Sequence, residues 1–584
     1  MSSRPASSSP ASTDVHRLLR KKDEQVPWSV QEVADIADRF GTPLHVYDET
    51  TIRGQCGKLK ATFGGLNKTS YMNYFAVKAT PTPAILKLMK AEGFGADCSS
   101  MAELLLAERC GFQGEEIMFT SNNTPSAEFK QAMDLGAIVN FDDITHLEFL
   151  EKEIALWNKE SPKKYSFPEL VSFRFNPGPL RTGNAIIGDP KEAKYGLSRK
   201  QLLQAYAYAR DTCGASRFGL HTMVVSNCLK AEELVQTAHM LFELCLEIKT
   251  ELGIDIEMIN LGGGVGIQYD PRDGSDLDLA RVRTGLEKAY QEWNTRSSGL
   301  LSSTRIVTEC GRFVTAPGGY LLARMMHGKR VYKNYVGLDA CMANLMRPGM
   351  YGAYHHITCL PMSEPITLPR VAPSSSSCSS TAVGGDSSAS CCSIEDVAGV
   401  STTNITSTCT KTNQGLNWQT VNNEEEMNMC GWTASASSSS SGGSGGASAS
   451  SCSEGCLGPV LAKISEALNK PKFLEQLIQP GARAKTSTTE GSASDKTNLY
   501  DVTGGLCENN DKFAIDRYLP VEPKVGDLFL IHDAGAHGHS MGFNYNGKLR
   551  SAEVLVKKEG PVLIRRAETH QDLFACIEGY YGRE

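Results

Sequence analysis

Residues 71–110, YMNYFAVKATPTPAILKLMKAEGFGADCSSMAELLLAERC, contain two short apolar runs that end at Val77 and Cys98. Runs of this length, rich in aromatic and aliphatic residues, are typical of buried strands. Ser100 and Glu103 have the spacing of a capping box, which predicts that a helix begins directly after the second run. The stretch therefore predicts strands that alternate with helices.

The same alternation continues to residue 312. Six further strand-like runs end at Thr120, Phe141, Phe175, Val225, Leu261 and Thr308. Eight strands that alternate with helices over about 240 residues have the size and rhythm of a closed (β/α)8 TIM barrel. A doubly wound open sheet is the alternative. Beyond Arg312 the pattern changes to β-rich runs, such as 526–532 and 550–565, which predict a second, mainly β domain in this α/β protein.

Composition divides the chain further. Between positions 434 and 453, 19 of 20 residues are Ser, Gly or Ala. Such a segment buries too little apolar surface to offset the entropy lost on ordering it. We predict a Ser/Gly-rich insertion at 371–498 and a disordered N-terminal tail at 1–27. The remainder is predicted to form a segment that adds to the β domain (28–48), the barrel (49–312) and the β domain itself (313–370 and 499–584).

The charge balance excludes some classes of partner. The 584 residues include 59 Lys and Arg against 66 Asp and Glu, for a net charge of −7. This gives no bulk electrostatic reason to bind nucleic acid or an anionic membrane. No apolar run approaches the roughly 18 residues of a bilayer span, so we expect a cytoplasmic protein, or one in a plastid or other organelle if the N-terminus is a transit peptide. The 18 cysteines have neither zinc nor disulfide spacing.

Polar and glycine-rich residues follow several predicted strands, where the loops of a barrel build its active site. Lys78 directly follows the first strand, and a desolvated lysine amine can form a Schiff base. Gly263 and Gly264 follow the seventh strand, so their N–H groups can approach a phosphate, and Ser226 after the sixth can add a hydroxyl. Taken singly, Lys78 is ordinarily interpreted as a surface lysine, and the glycine run as a tight turn or a dinucleotide-binding loop.

The eighth predicted strand leads into Glu309, Cys310, Gly311 and Arg312. A carboxylate here can pair with a protonated ring nitrogen, and an arginine can hold a carboxylate or phosphate through two parallel hydrogen bonds. An ion pair between Glu309 and Arg312 is the alternative. The lysine, the glycine-rich loop and the acid together suggest pyridoxal 5'-phosphate as the cofactor.

The chain resembles the diaminopimelate decarboxylases, in the alanine-racemase-fold group of pyridoxal phosphate enzymes. Five segments match the motifs of that family in order: YFAVKA at 74–79, NLGGGVG at 260–266, ECGR at 309–312, RPGMY at 347–351 and CENND at 507–511. The resemblance runs from about Trp28 to Tyr581 without the insertion. It implies a barrel that binds the cofactor, followed by a β-barrel-like C-terminal domain.

The resemblance implies decarboxylation of meso-2,6-diaminopimelate to L-lysine and CO2, the last step of lysine biosynthesis. Lys78 would hold the cofactor through a Schiff base, and Glu309 would keep its ring nitrogen protonated. Arg312, Arg347 and Tyr351 would bind substrate carboxylates, and Glu508 the distal ammonium. The full set implied to bind the cofactor is Lys78, His221, Ser226, Gly263, Gly264, Glu309, Gly311, Arg312 and His537; His537 would also contact the substrate.

Cys507 is implied to be the proton donor after CO2 leaves, because an accessible thiol exchanges protons near neutral pH. In this family the residues that match Cys507 and Glu508 reach the site from the partner subunit. The resemblance therefore implies a homodimer with two shared active sites. The expected ligand is a small amino acid, with no nucleic acid or membrane partner.

Three positions depart from the family pattern. Met223 replaces a histidine that stacks on the cofactor, Cys310 replaces a proline, and His537 replaces a tyrosine in a Gly-Ala-Tyr-Gly turn. A thioether still packs on an aromatic face, so we expect cofactor binding to survive. Because histidine titrates near neutral pH, His537 is expected to change the pH dependence of binding.

Three alternatives stay open at this point. The pairs His355/His356 and His537/His539 lack further residues with zinc-ligand spacing, so no metal site is expected. A decarboxylase of ornithine, arginine or carboxynorspermidine would share most of the motifs, but a substrate without a distal carboxylate would leave Arg347 unpaired. An inactive relative with a binding or regulatory role is disfavoured by the retained motif residues.

Overall fold

The structure, a computed structural model, describes residues 21–160, 162–181, 192–272, 274–362 and 498–577. The predicted insertion lies outside these ranges except for residue 498, and so do residues 1–20 of the predicted tail. Among the described residues, no helix is both long enough and apolar enough to cross a membrane.

The described part contains seventeen strands. In chain order they are β1 Leu44–Asp48, β2 Met72–Ala76, β3 Gly95–Cys98, β4 Ile117–Ser121, β5 Ile138–Phe141, β6 Leu170–Phe175, β7 Arg217–Thr222, β8 Ile256–Asn260, β9 Arg305–Thr308, β10 Gly319–Arg330, β11 Asn334–Leu338, β12 Ile357–Leu360, β13 Leu499–Thr503, β14 Lys512–Tyr518, β15 Leu528–Ile531, β16 Ala552–Lys557 and β17 Gly560–Arg565. The main α-helices are Val30–Phe40, Glu49–Phe63, Pro83–Ala91, Met101–Arg109, Ser126–Asp134, Thr145–Glu160, Arg199–Asp211, Ala231–Leu252, Leu279–Arg296, Arg312–Thr315, Arg347–Tyr351 and His570–Phe574.

Strands β2 to β9 form a closed parallel barrel in sequence order. Pairing of Met72 with Val307 and of Asn73 with Thr308 joins the first strand to the last. The closed barrel is confirmed, and the open doubly wound sheet is wrong. A cluster from six of the strands fills the barrel below its carboxyl ends, consisting of Tyr74, Met118, Ile138, Leu170, Met258 and Val307.

The predicted strand ends agree with the structure to within one residue, except in β7. That strand ends at Thr222, although the apolar run continues to Val225. Val224 and Val225 are buried outside any strand, because the chain turns there to pack against the glycine-rich loop, where the Cys228 N–H donates to the Gly264 carbonyl at 2.8 Å. Burial therefore extends the apolar pattern beyond the end of the strand.

The remaining strands form a mixed nine-stranded sheet, which confirms the second, β-rich domain. Strand β1, from the N-terminal segment, lies between β10 and β16, antiparallel to the first and parallel to the second. The predicted run at 550–565 is the hairpin of β16 and β17. The N-terminal segment is thus part of a sheet built mainly from the C-terminal half of the chain.

Residues 21–27, which the sequence places in a disordered tail, contact the β domain. Lys22 Nζ lies 2.9 Å from Asp533 Oδ2, and Asp23 Oδ1 lies 2.7 Å from His356 Nε2. The charged composition of this segment does not reveal these contacts, because both partners are hundreds of residues away in sequence.

Candidate active site

Lys78 lies in a short 3-10 turn at the carboxyl end of β2. Its side chain is 57% exposed, and Nζ is 3.6 Å from Oδ2 of the buried Asp97 on β3. The carboxylate of Asp97 raises the pKa of the Lys78 amine. Burial, assisted by the charge of Glu309, raises the pKa of Asp97 in turn. The barrel mouth therefore presents an accessible amine beside a buried carboxyl group, and the pKa values of both groups are raised.

Glu309 directly follows β9 and is bonded through both carboxylate oxygens. Oε2 lies 3.2 Å from His221 Nε2, and Oε1 accepts from Asn260 Nδ2 at 2.8 Å. Burial opposes ionisation, but His221 and the nearby positive charges of Lys78 and Arg174 outweigh it and lower the pKa of Glu309. Glu309 is thus an ionised carboxylate within the electrostatic reach of Lys78.

The ring of His221 is bonded at both nitrogens. Asn140 Nδ2 lies 2.8 Å from His221 Nδ1 and 3.1 Å from Thr120 Oγ1. An amide N–H can only donate, so with this amide orientation Nδ1 of His221 accepts and Nε2–H donates to Glu309. Four barrel strands, β4, β5, β7 and β8, therefore supply polar side chains to one network that ends at Glu309.

The glycine-rich loop after β8 packs tightly on its neighbours. A Cβ on Gly263 would lie 2.6 Å from the Glu309 carbonyl oxygen, and one on Gly264, whose φ is +89°, would lie 2.3 Å from the Val225 oxygen. Only glycine fits at such distances. The Gly263 N–H lies 3.2 Å from Met223 Sδ, and half-buried Ser226 follows in the same β7 loop. The two loops therefore form one surface.

Arg312 and Arg347 meet at one aromatic ring. Arg312 Nη1 donates to the Tyr269 hydroxyl at 3.0 Å, and the Arg347 guanidinium lies 4.4 Å from the centre of the same ring. Arg347 Nη1 also donates to His355 Nε2 at 3.0 Å. Burial lowers the pKa of Arg347. The alternative of an ion pair between Glu309 and Arg312 is wrong, since in the described part of the chain these two side chains bond to different partners.

His537 lies next to the lysine turn. Its backbone N–H donates to the carbonyl of Ala79 at 2.9 Å, and its φ is +56°. Burial, together with the positive charges of Lys78, Arg312 and Arg347, holds the pKa of His537 well below its ordinary value. The structure therefore differs from the expectation that His537 titrates near neutral pH, because neither its burial nor the surrounding cations were visible in the local sequence.

Gly311 is placed where β9 meets the end of β2. A Cβ at this position would lie 2.8 Å from Ala79 Cβ and 3.0 Å from the Ala76 oxygen. Buried Cys310, which replaces the family's proline, has a backbone N–H, and this group donates to Asn73 Oδ1 at 2.7 Å. A proline would lack that donor.

Cys507, Glu508 and Tyr351 lie together on an exposed surface of the β domain. The Cys507 N–H donates to Asn546 Oδ1 at 3.0 Å, and Glu508 accepts from the Tyr545 hydroxyl at 2.9 Å. The loop 507–511 touches the helix Arg347–Tyr351 through Asn510, which donates to the Gly349 carbonyl at 3.3 Å. Within the described ranges of one chain, Cys507 and Glu508 make no hydrogen bond or ion pair with Lys78, Glu309 or the two arginines.

His355, His356 and His539, from the two histidine pairs, have separate partners. His355 accepts from Arg347, and His539 Nε2 lies 3.0 Å from the Ser551 carbonyl. His356 belongs to a cluster with Asp23 and His532 whose ligand-type atoms lie within 4.8 Å of one another. Those atoms are already joined by hydrogen bonds, since Thr358 Oγ1 donates to Asp23 at 2.5 Å and lies 2.7 Å from His532 Nε2. A hydrogen-bonded network accounts for this cluster.

The roles of several residues of the site were not predicted from the sequence. Asn140 and Asn260 hold the His221 and Glu309 network, and Tyr269 joins the two arginines. A sequence signal exists for the asparagines, because each is a polar residue in an otherwise apolar strand, where an amide needs a partner. Tyr269 carries no such signal, since an aromatic residue after a glycine-rich loop is also an ordinary core residue.

These features define a barrel with a reactive amine, an ionised acid and a glycine-rich loop at its carboxyl-terminal mouth. Two family models match the chain: the pyridoxal-binding domain of pyridoxal-dependent decarboxylases at residues 49–316, and the C-terminal sheet domain of the same enzymes at 466–535. The second match begins within the predicted insertion, outside the described residues.

Similar proteins agree with these matches. Protein TabA of Pseudomonas amygdali pv. tabaci is 33% identical, over 92% of this chain and 91% of its own. Diaminopimelate decarboxylase of Methanothermobacter thermautotrophicus is 26% identical, over 93% of both chains. The crystal structure of diaminopimelate decarboxylase from M. jannaschii has the same fold, with a TM-score of 0.62, 22% identity and 93% of both chains covered.

The chain belongs to the family of pyridoxal-dependent decarboxylases, and its cofactor is pyridoxal 5'-phosphate. The prediction of this cofactor is thus confirmed. The described residues fit it: Lys78 offers an accessible amine, Glu309 is kept ionised, and the glycine-rich loop has no room for side chains. The enzyme therefore acts as a decarboxylase on an amino-acid substrate.

Proposed function

We propose that the protein decarboxylates meso-2,6-diaminopimelate to L-lysine and CO2, the last step of lysine biosynthesis. The supporting observation is the pair of guanidinium groups around Tyr269. Arg347 is only 6% exposed, and neither arginine forms a salt bridge with a carboxylate in the described part of the chain. Burying an uncompensated guanidinium is costly, so a carboxylate of the substrate is the expected counter-charge.

The physical chemistry of decarboxylation indicates which carboxylate these arginines hold. The departing carboxylate loses its negative charge on the way to CO2, so a cation bound to it would stabilise the ground state more than the transition state. The arginine pair therefore suits a carboxylate that is retained. Meso-diaminopimelate has such a second carboxylate, whereas ornithine, arginine and carboxynorspermidine do not.

When bound, the cofactor supplies an electron sink for the electron pair that CO2 leaves behind. In this proposal Lys78 would attach the cofactor, and Glu309, fixed by His221 and Asn260, would keep a proton on the ring nitrogen. Ser226, Gly263 and Gly264 would bind the phosphate. Gly311 and His537 line the same mouth, and Met223 would pack on the ring.

The exposed surface formed by Tyr351, Cys507 and Glu508 supports a homodimer with shared sites. Tyr351 is 53% exposed and its neighbour Met350 is 60% exposed, although both are large apolar side chains. An exposed apolar surface that carries a thiol and a carboxylate is suited to cover the barrel mouth of a second copy. There Cys507 would donate the proton that replaces CO2, Glu508 would bind the distal ammonium and Tyr351 would contact the retained carboxylate.

A second candidate is a decarboxylase of the same family with a different amino-acid substrate. The observation that favours it is the 33% identity with protein TabA, which exceeds the 26% identity with the Methanothermobacter diaminopimelate decarboxylase. An inactive relative is disfavoured, because Lys78, Glu309 and Cys507 are all present.

The test is lysine formation from meso-diaminopimelate by the purified protein loaded with pyridoxal phosphate. We expect turnover by the wild type, none by Lys78→Ala and a large loss in Cys507→Ala. Cys576→Ala is the matched control, because Cys576 is also an exposed free thiol, and it should keep full activity. If the wild type decarboxylates only another amino acid, the proposed substrate is wrong.

A further inference from the structure

We infer that Tyr269 and His355 are positioning residues that set Arg312 and Arg347 to bind the retained carboxylate, and that they thereby determine the preference for substrates with a second carboxylate. The inference rests on the proposed function for the identity of that carboxylate. Neither residue needs to touch the reacting atoms.

Tyr269 contacts the two arginines through different parts of its side chain. The hydroxyl accepts from Arg312 Nη1 at 3.0 Å, while the ring lies 4.4 Å from the Arg347 guanidinium carbon. A guanidinium at this distance is attracted by the aromatic ring. Tyr269 is 8% exposed, so its packing fixes the ring. Its position therefore sets the spacing between the two guanidinium groups.

His355 holds Arg347 from the other side. Its Nδ1 lies 2.8 Å from the backbone carbonyl of His532, and since a carbonyl only accepts, Nδ1 carries the hydrogen. The lone pair of Nε2 is then free to accept from Arg347 Nη1 at 3.0 Å. Burial and the charge of Arg347 lower the pKa of His355 to about 3, so the ring stays neutral and keeps its acceptor.

The two aromatic rings also contact each other. The centres of the Tyr269 and His355 rings are 5.1 Å apart in an edge-to-face arrangement. Together they hold two like charges close enough that Arg312 contributes to the lowered pKa of Arg347. A carboxylate bound between the two guanidinium groups offsets this repulsion. Each guanidinium has five N–H donors, and the hydrogen bonds to Tyr269 and His355 use only some of them, so donors remain for a ligand.

The experiment compares two ligands of the holoenzyme that differ only in one carboxylate: L-lysine and 1,5-diaminopentane. Binding is followed by the change in visible absorption of the bound cofactor. For Tyr269→Phe, which removes the hydroxyl, and His355→Phe, which removes the acceptor, the Kd for L-lysine should rise about 10- to 100-fold, as expected when a hydrogen bond to a charged group is lost. The Kd for 1,5-diaminopentane should change less than about threefold.

Two control variants test whether the effect is specific. Tyr208→Phe removes a hydroxyl that donates to Glu151, and His239→Phe removes an acceptor of Trp293 Nε1 at 2.9 Å; both lie on barrel helices and should change neither Kd. Equal weakening of both ligands in the site variants would mean a general structural role and would overturn the inference. Wild-type protein that binds both ligands equally well would also overturn it.

The binding comparison does not depend on turnover. If the wild type binds L-lysine selectively but forms no lysine from meso-diaminopimelate, the proposed reaction fails and the positioning role stands. If it turns over and the site variants leave the KM for meso-diaminopimelate unchanged, the positioning role fails and the proposed reaction stands.

Discussion

His221 and Glu309 lie 88 residues apart in the chain, yet Nε2 of the one is 3.2 Å from Oε2 of the other. The contact joins β7 to the end of β9, across β8, which supplies Asn260 to the second carboxylate oxygen. An acid with both oxygens bonded cannot rotate freely. Glu309 is therefore an ionised group in a fixed place, as a partner for a ring nitrogen must be.

Replacing Glu309 by Gln should lower kcat by about 100-fold or more, because a preorganised charge is lost while the shape is kept. The visible spectrum of the bound cofactor should change as well, since its ring nitrogen would lose the proton. Glu115→Gln is the control: Glu115 is also paired with arginines, 2.6 Å from Arg217 and 2.9 Å from Arg305. A Glu309→Gln variant with normal kcat and spectrum would contradict the role.

Gly264→Ala should destabilise the protein and prevent retention of the cofactor. The new Cβ would lie 2.3 Å from the Val225 oxygen, in a backbone with φ +89°. Gly253→Ala separates the steric clash from the backbone strain, because Gly253 also has positive φ (+71°) but nothing within 4 Å of the added Cβ. The control should cost about 1 kcal/mol in free energy of unfolding, and Gly264→Ala clearly more. Denaturant unfolding and cofactor absorbance measure both effects, and equal costs would refute the steric explanation.

The stability contributed by neutral His355 should depend on pH. Its pKa is about 3 in the folded protein, against an ordinary value of 6.5. Because the folded protein holds this ring neutral, its stability is greatest above pH 6.5 and falls at lower pH, where the unfolded chain takes up a proton that the folded protein does not bind. The difference in free energy of unfolding between wild type and His355→Gln should therefore shrink by about 2 kcal/mol from pH 7.5 to pH 5. A constant difference over this range would show that His355 is not held neutral.

Lys22→Met should destabilise the protein although it lies near the N-terminal end. The change leaves Asp533, whose side chain is 6% exposed, without its partner at 2.9 Å. Breaking such a buried pair costs about 3 kcal/mol, whereas Lys152→Met, which breaks a pair in which both side chains are 67% exposed, should cost at most about 0.5 kcal/mol. Thermal or denaturant unfolding compares the two, and similar values would show that residues 21–27 do not dock on the β domain.

Mixing two inactive variants tests the proposed shared sites. If Cys507 reaches Lys78 of a second copy, heterodimers of Lys78→Ala and Cys507→Ala contain one complete site. Random exchange of subunits should then restore about a quarter of wild-type activity. If subunit exchange is demonstrated but activity does not recover, there are two explanations. Either each site uses Cys507 and Lys78 of the same chain, or Cys507 takes no part in the reaction.

The sequence by itself determined the repeating part of this protein. The spacing of apolar residues in strands and helices is a local property, so the ends of eight strands could be predicted, all but that of β7 to within one residue. Lys78, Glu309 and the glycine-rich loop could be placed at one mouth of the barrel, because parallel strands all end on the same side. The motif order identified the cofactor, since its chemistry needs few residue types at fixed places.

Only the tertiary structure decided how distant side chains meet. Asn140 next to His221, Tyr269 between two arginines, and Lys22 on Asp533 are contacts between segments far apart in the chain, and no local pattern encodes them. The neutrality of His537 belongs to the same group, because its pKa is lowered first by burial and then by the charges of Arg312, Lys78 and Arg347 through space. Local periodicity follows from the geometry of the backbone, whereas charge and hydrogen bonding depend on which segments the completed fold brings into contact.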